Sequence, residues 1–141
     1  MRIEFPFVEE KANIVPTILR PLARVKLINK NMEIAADMYV DSGADITLIP
    51  YSVGIALGFS LKPEDKIRRI GGVGGGKISI VVRRLKMRIG GEESDVRVAW
   101  CMSEDVPLIL GRLDIFDKFD VLFEGGKKTV FFKNSCEGIG T

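Results

Sequence analysis

The run Asp41-Ser42-Gly43-Ala44-Asp45 places two carboxylates and a hydroxyl within five residues, directly after the apolar-rich segment 32–40. A positioned carboxylate can take a proton from water or give one to a leaving group, which makes such a run a candidate for general acid–base chemistry. The chain contains no histidine. That removes Ser-His-Asp and Cys-His catalysis and the commonest zinc ligand, so any chemistry falls to carboxylates, hydroxyls, lysines or thiols. Taken alone, Asp-Ser-Gly most often marks a turn. Cys101 and Cys136 form no C-x-x-C or zinc-like spacing and read as buried free thiols, with a late bridge to the C-terminal tail as the alternative. No metal site and no cofactor are indicated.

Two further runs follow in order. Ile70-Gly71-Gly72-Val73-Gly74-Gly75-Gly76 is dense in glycine, and Leu108-Ile109-Leu110-Gly111-Arg112 is an apolar strand ending in glycine and arginine. A glycine loop can cradle a dinucleotide or a phosphate, but that use needs a helix after it. Lys77-Ile78-Ser79-Ile80 alternates as a strand does, and no Gly-Lys-Ser/Thr ending is present. Glycines at a hairpin tip give instead a hinged arm free of side chains.

The three runs, in this order along a strand-rich chain, resemble those of the retropepsins, the single-domain aspartic proteases of retroviruses and their cellular and prokaryotic relatives. The resemblance spans about residues 23–133. It implies an all-β acid-protease barrel, one lobe per chain, with one or two short helices. It also implies that Asp41 is the catalytic carboxylate. Two such carboxyls sharing one proton can act as base and acid together, and packed close they cannot both ionise. With one Asp-Ser-Gly per chain, the second carboxylate must come from a second copy, and a homodimer with its site on the two-fold axis follows.

The resemblance assigns the other positions as well. Ser42 would bond across the axis and Gly43 would let backbone approach the carboxylates. Ala44 offers no hydroxyl to the charged form, which predicts activity at mildly acidic to neutral pH. Asp45 and Arg112 would form a structural ion pair, the arginine fork gripping the carboxylate in two places, or Asp45 would touch substrate backbone. Ile46 predicts an apolar pocket nearby. Ile70, Gly71, Gly72, Val73, Gly74 and Gly75 would form a flap that closes on an extended peptide and excludes water.

The elements that must position these residues are mainly strands. Alternation predicts strands over 23–28 and 32–40 with a turn at Asn29-Lys30-Asn31, then short apolar strands at 46–49 and 108–110. Further strands are predicted at 78–82, 85–89 and 96–100, with a turn over Gly90-Gly91-Glu92-Glu93-Ser94 before the last. Pro50 and Gly58 frame a helix over 51–57, and a second short helix is predicted over 113–118. The end reads as a hairpin, 121–123 with 130–132, around Gly125-Gly126. Its apolar strands are expected to supply the dimer contact, since they would otherwise be exposed. Residues 1–22 read as an N-terminal extension and 134–141 as a tail, so the chain is one domain.

Composition narrows the rest. At 46% hydrophobic and 28% charged residues, the chain has a globular balance, and no apolar run reaches the roughly 20 residues of a membrane helix. The acidic, proline-containing start does not look like a secretory signal, which makes a cytoplasmic location the expectation. A net charge of +2 is too mild to argue for nucleic acid. In the basic run Arg83, Arg84, Lys86 and Arg88, the alternation with Leu85 and Met87 makes Lys86 and Arg88 read as the outer face of a strand rather than a nucleic-acid surface. The expected function is therefore an aspartic endopeptidase acting as a homodimer on peptide or protein substrates. The competing reading is a catalytically inactive dimeric module that binds peptides on the same fold.

Overall fold

A computed structural model describes residues 2–71 and 76–133. Twelve strands and one helix run in the order β1 (Arg2–Pro6), β2 (Val8–Lys11), β3 (Thr17–Arg20), β4 (Leu22–Asn29), β5 (Met32–Val40), β6 (Thr47–Ile49), α1 (Tyr51–Ala56), β7 (Arg68–Gly71), β8 (Lys77–Ile89), β9 (Glu92–Cys101), β10 (Ile109–Leu110), β11 (Phe119–Glu124) and β12 (Lys128–Lys133). Six of them close a barrel. β4, β5, β10, β6, β9 and β8 pair in that order, and β8 returns to pair with β4. Closure leaves these six no free edge except where β7 extends the sheet from β8.

The barrel follows from alternation. In β4 the even pattern of Ala23, Val25 and Leu27 turns inward, while Arg24 and Lys26 stay exposed. β5 does the same with Ala36, Met38 and Val40, and β9 with Val96, Val98 and Trp100. Lys30 adopts a left-handed φ of 54° in the turn between β4 and β5. Strands expected separately at 78–82 and 85–89 form one 13-residue strand, because Arg83 and Arg84 continue the ladder opposite Val98 and Arg97. The turn after it is only Gly90-Gly91, and Glu92, Glu93 and Ser94 already belong to β9.

Helix α1 begins after Pro50 and ends at Leu57, with Gly58 at φ 86°. Its Gly54 lies against the buried Trp100 ring, where a Cβ would stand 2.0 Å from the indole nitrogen. The second helix expected over 113–118 is a series of turns. Asp114 sits at φ 65°, in the left-handed region, which breaks helical continuity after Leu113. No helix among the described residues is long and apolar enough to cross a membrane.

Residues 1–22, expected as an extension, contribute strands. β1 pairs antiparallel with β12 in a three-stranded sheet, β1-β12-β11. Phe131 is wholly buried there, with Phe5 and Phe119 meeting it edge-on at 5.8 and 5.7 Å. The apolar strand at 130–132 is thus covered by its own chain at Val130 and Phe131, which corrects the premise that the C-terminal hairpin stands exposed for want of a partner. Leu122 and Phe123 keep their exposure. Among the described residues β2 and β3 pair only with each other.

Candidate active site

Asp41 follows the last residue of β5, and the loop it opens is laced to the segment around β10. β10 lies between β5 and β6, parallel to the first and antiparallel to the second. The Tyr39 and Asp41 amides donate to the Leu108 and Leu110 carbonyls at 2.9 and 3.1 Å. On the far side of the loop, the Arg112 and Leu113 amides donate to the Ala44 and Asp45 carbonyls, both at 2.9 Å. A short apolar strand and the residues that follow it thus hold both ends of the loop by backbone bonds.

Gly111 is what allows this approach. A Cβ there would stand 2.4 Å from the Ile46 carbonyl carbon. Its amide donates to Thr47 Oγ1 at 3.1 Å, so the wholly buried Thr47 hydroxyl joins the two sides. Thr47 was missed in the sequence. Its signal was a lone hydroxyl inside the apolar run Ile46-Thr47-Leu48-Ile49.

Within the loop the Gly43 amide donates to Asp41 Oδ1 at 2.8 Å, fixing the carboxylate by its own turn. Asp41, Ser42 and Gly43 are exposed, and Ala44 is half-buried. The carboxylate borders an open cleft of about 460 Å³, shared with Tyr39, Ile109, Glu10 and Arg20. Tyr39, in β5 two residues before Asp41, lines this cleft. Its hydroxyl meets the Glu10 carboxylate at 2.9 Å, and that contact raises its pKa above the usual tyrosine value.

Asp45 and Arg112 approach to 3.8 Å, beyond hydrogen-bonding distance, with side chains 95% and 61% exposed. The two-point grip expected between them is absent within one chain, and such a pair contributes little. That grip occurs one turn away. Arg97 in β9 gives Asp114 two side-chain bonds, Nε to Oδ2 at 2.8 Å and Nη2 to Oδ1 at 2.9 Å, and its amide adds a third at 2.9 Å. The Arg97 guanidinium holds the Asp114 carboxyl down at about 2. Asp114 falls two residues past Arg112, so this pair anchors the segment that laces the Asp41 loop.

The stem of the glycine arm is the β7–β8 hairpin, with Ile70 opposite Ile78 and Gly71 opposite Lys77. Gly72, Val73, Gly74 and Gly75 lie outside the described residues. Ile70 and Ile78 pack with Ile46 and Leu48 against buried Ile80, Ala99, Cys101 and Val106. The stem thus shares an apolar cluster with the strand that leaves the Asp41 loop, in keeping with the apolar surroundings expected at Ile46. Cys101 is a buried free thiol, its pKa pushed up to about 11 by desolvation, and so chemically quiet. Cys136 lies outside the described residues.

Comparison of the chain with protein-family models and with curated proteins finds no match in either.

Proposed function

We propose that this chain is one half of an aspartic endopeptidase of the retropepsin type, active as a homodimer. The observation that carries the reading is the Asp41 loop. An exposed carboxylate is oriented by the Gly43 amide at the edge of a cleft, on a loop whose two ends are held by an inserted apolar strand. The closed all-β barrel and the glycine hairpin that springs from it support the same reading.

In the proposed dimer two copies of Asp41 share one proton and hold a water between them. The ionised carboxylate takes a proton from that water as its oxygen bonds to the scissile carbonyl carbon. The protonated partner gives its proton to the carbonyl oxygen, so a neutral tetrahedral diol forms. Collapse of the diol breaks the C–N bond. The amine nitrogen leaves with a proton from the dyad, and the product acid is released with the dyad restored to one proton. Ser42 braces the paired loops across the axis, and Ile70 and Gly71, in the stem of the β7–β8 hairpin, meet the peptide from the side of the flap. The Ile46, Leu48, Ile70 and Ile78 cluster offers apolar contact to substrate side chains. Asp45, almost wholly exposed, is free to meet substrate backbone.

The test is cleavage of an unstructured protein from pH 3 to 8, with cut sites read by mass spectrometry, for wild type beside Asp41→Asn. Asp41→Asn replaces both carboxylates of the dyad, one in each copy, and removes the acid–base step, so a loss of at least roughly a hundredfold is expected. Equal cutting by the variant would refute the assignment.

A further inference from the structure

The β2–β3 hairpin is the one two-stranded sheet in the described fold, and neither of its outer edges is paired. Hairpins of this kind are marginal in water unless a third element packs on them. This one is also conspicuously apolar on its surface. Of the thirteen large hydrophobic side chains exposed in the described residues, five lie between positions 8 and 19, namely Val8, Ile14, Val15, Ile18 and Leu19. Ile14, at the tip, is 98% exposed.

Its placement says which neighbour is near. The register sets Val8 opposite Arg20 and Glu10 opposite Ile18, so these four share one face. Glu10 and Arg20 of that face border the Asp41 cleft, and Glu10 is tied to Tyr39, two residues before Asp41. The tip, residues 12–16, continues past that tie by several residues, on the order of 10 Å at the rise of an extended strand. The opposite face carries Glu9, Lys11, Thr17 and Leu19.

If two copies of Asp41 meet on a two-fold axis, an arm rooted at the Asp41 cleft stands beside that axis, within reach of the other subunit. We infer that residues 8–20 are a dimerisation arm, which seats Ile14, Val15 and Ile18 on a second copy of this chain beside the shared cleft. The inference rests on the proposed two-fold site. Val130 and Phe131 of the C-terminal sheet are not open to such a contact, since β1 covers them within the chain. Each cleft then has a wall, Glu10 and Arg20, held in place by an arm whose tip the partner grips.

The experiment compares full-length wild type, Ile14→Ser/Val15→Ser/Ile18→Ser and Asp41→Asn by sedimentation equilibrium over a wide concentration range, with far-UV circular dichroism to confirm folding. The three arm side chains are exposed, so the fold is expected to persist. Wild type and Asp41→Asn should dimerise alike. The arm variant should dimerise roughly tenfold or more weakly, and its cleavage per chain should recover as concentration rises. Unchanged dimerisation of the arm variant would overturn the inference, whether the arm then folds over its own cleft or holds another partner. A wild type that stays monomeric at all concentrations would overturn it too. The two proposals fail separately: an inactive Asp41→Asn beside an arm variant that dimerises normally removes the arm and keeps the protease. An Asp41→Asn that still cleaves, beside a dissociated arm variant, does the reverse.

Discussion

At Gly111 a Cβ would stand 2.4 Å from the carbonyl carbon of Ile46 and 2.8 Å from the amide nitrogen of Thr47, backbone atoms that no change of rotamer can move. Gly111→Ala therefore forces the Asp41 loop away from β10 and strains the Gly111–Thr47 and Arg112–Ala44 bonds together. Overpacking of this kind costs about 1–3 kcal/mol, or a fall of roughly 3–10 °C in melting temperature for a chain of this size. Calorimetry checks the stability, and under the proposed function peptide cleavage should fall further than stability alone explains, because the displaced segment carries Asp41. A melting temperature within a degree of wild type would mean that the loop is not held as described. The glycine was visible in the sequence as part of Leu-Gly-Arg, and Asp41 as the residue after an apolar strand. Thr47 and the Arg97–Asp114 pair were not. Their partners lie 64 and 17 residues away, and Asp114 needs a left-handed backbone that a helical reading of 113–118 hides.

Helix α1 is six residues long, too short to persist without tertiary support. It is held by Trp100, whose indole N–H donates to the Tyr51 carbonyl at 3.0 Å while Tyr51 stacks on the ring at 5.3 Å. Gly54 completes the contact, its missing side chain leaving room for the indole. Gly54→Ala gains intrinsic helix propensity of about 1 kcal/mol and yet is expected to destabilise, because the added carbon would overlap a rigid, wholly buried ring. Trp100 is the only tryptophan in the chain, so its fluorescence reports the event directly. A red-shifted emission with a lowered melting temperature is the expected result, and an unchanged spectrum with a raised one would show that the helix rides free of the ring. The helix itself was legible from Pro50 and Gly58, as were β4 and β5 from their period of two. β1 was not read as a strand, although Arg2-Ile3-Glu4-Phe5 alternates, because its partner β12 is more than 120 residues away and only pairing gives the alternation a face to bury.

Across the whole molecule, bidentate arginine–carboxylate pairs fasten the loops to the barrel, and they set how the fold responds to acid. Arg83 grips Asp65 at 2.9 and 2.6 Å, and its guanidinium lies 5.6 Å over Trp100, fixing the segment that leads from α1 to β7. Arg97 does the same for Asp114 beside the Asp41 loop. Hydrogen bonds from arginine lower the pKa of both carboxyls below the ordinary value of 3.8, that of Asp114 to about 2. A group whose folded pKa is depressed adds stability above its unfolded pKa. That contribution is lost as pH falls through the folded value. The fold should therefore hold its stability down to about pH 4 and lose it progressively towards pH 2. For Asp114 the loss is about 1–2 kcal/mol, reduced from the full linkage value because Arg97 is 40% exposed. Asp114→Asn tests the source. By urea denaturation at fixed chain concentration, the variant should fall short of wild type by that amount at pH 6, and the gap should close as pH approaches 2, where wild-type Asp114 is itself protonated. A gap of equal size at both ends would assign the effect to packing rather than charge. Under the proposed function the same window favours activity at mildly acidic to neutral pH, the range expected from the missing hydroxyl at Ala44, because the loop anchors weaken below about pH 4.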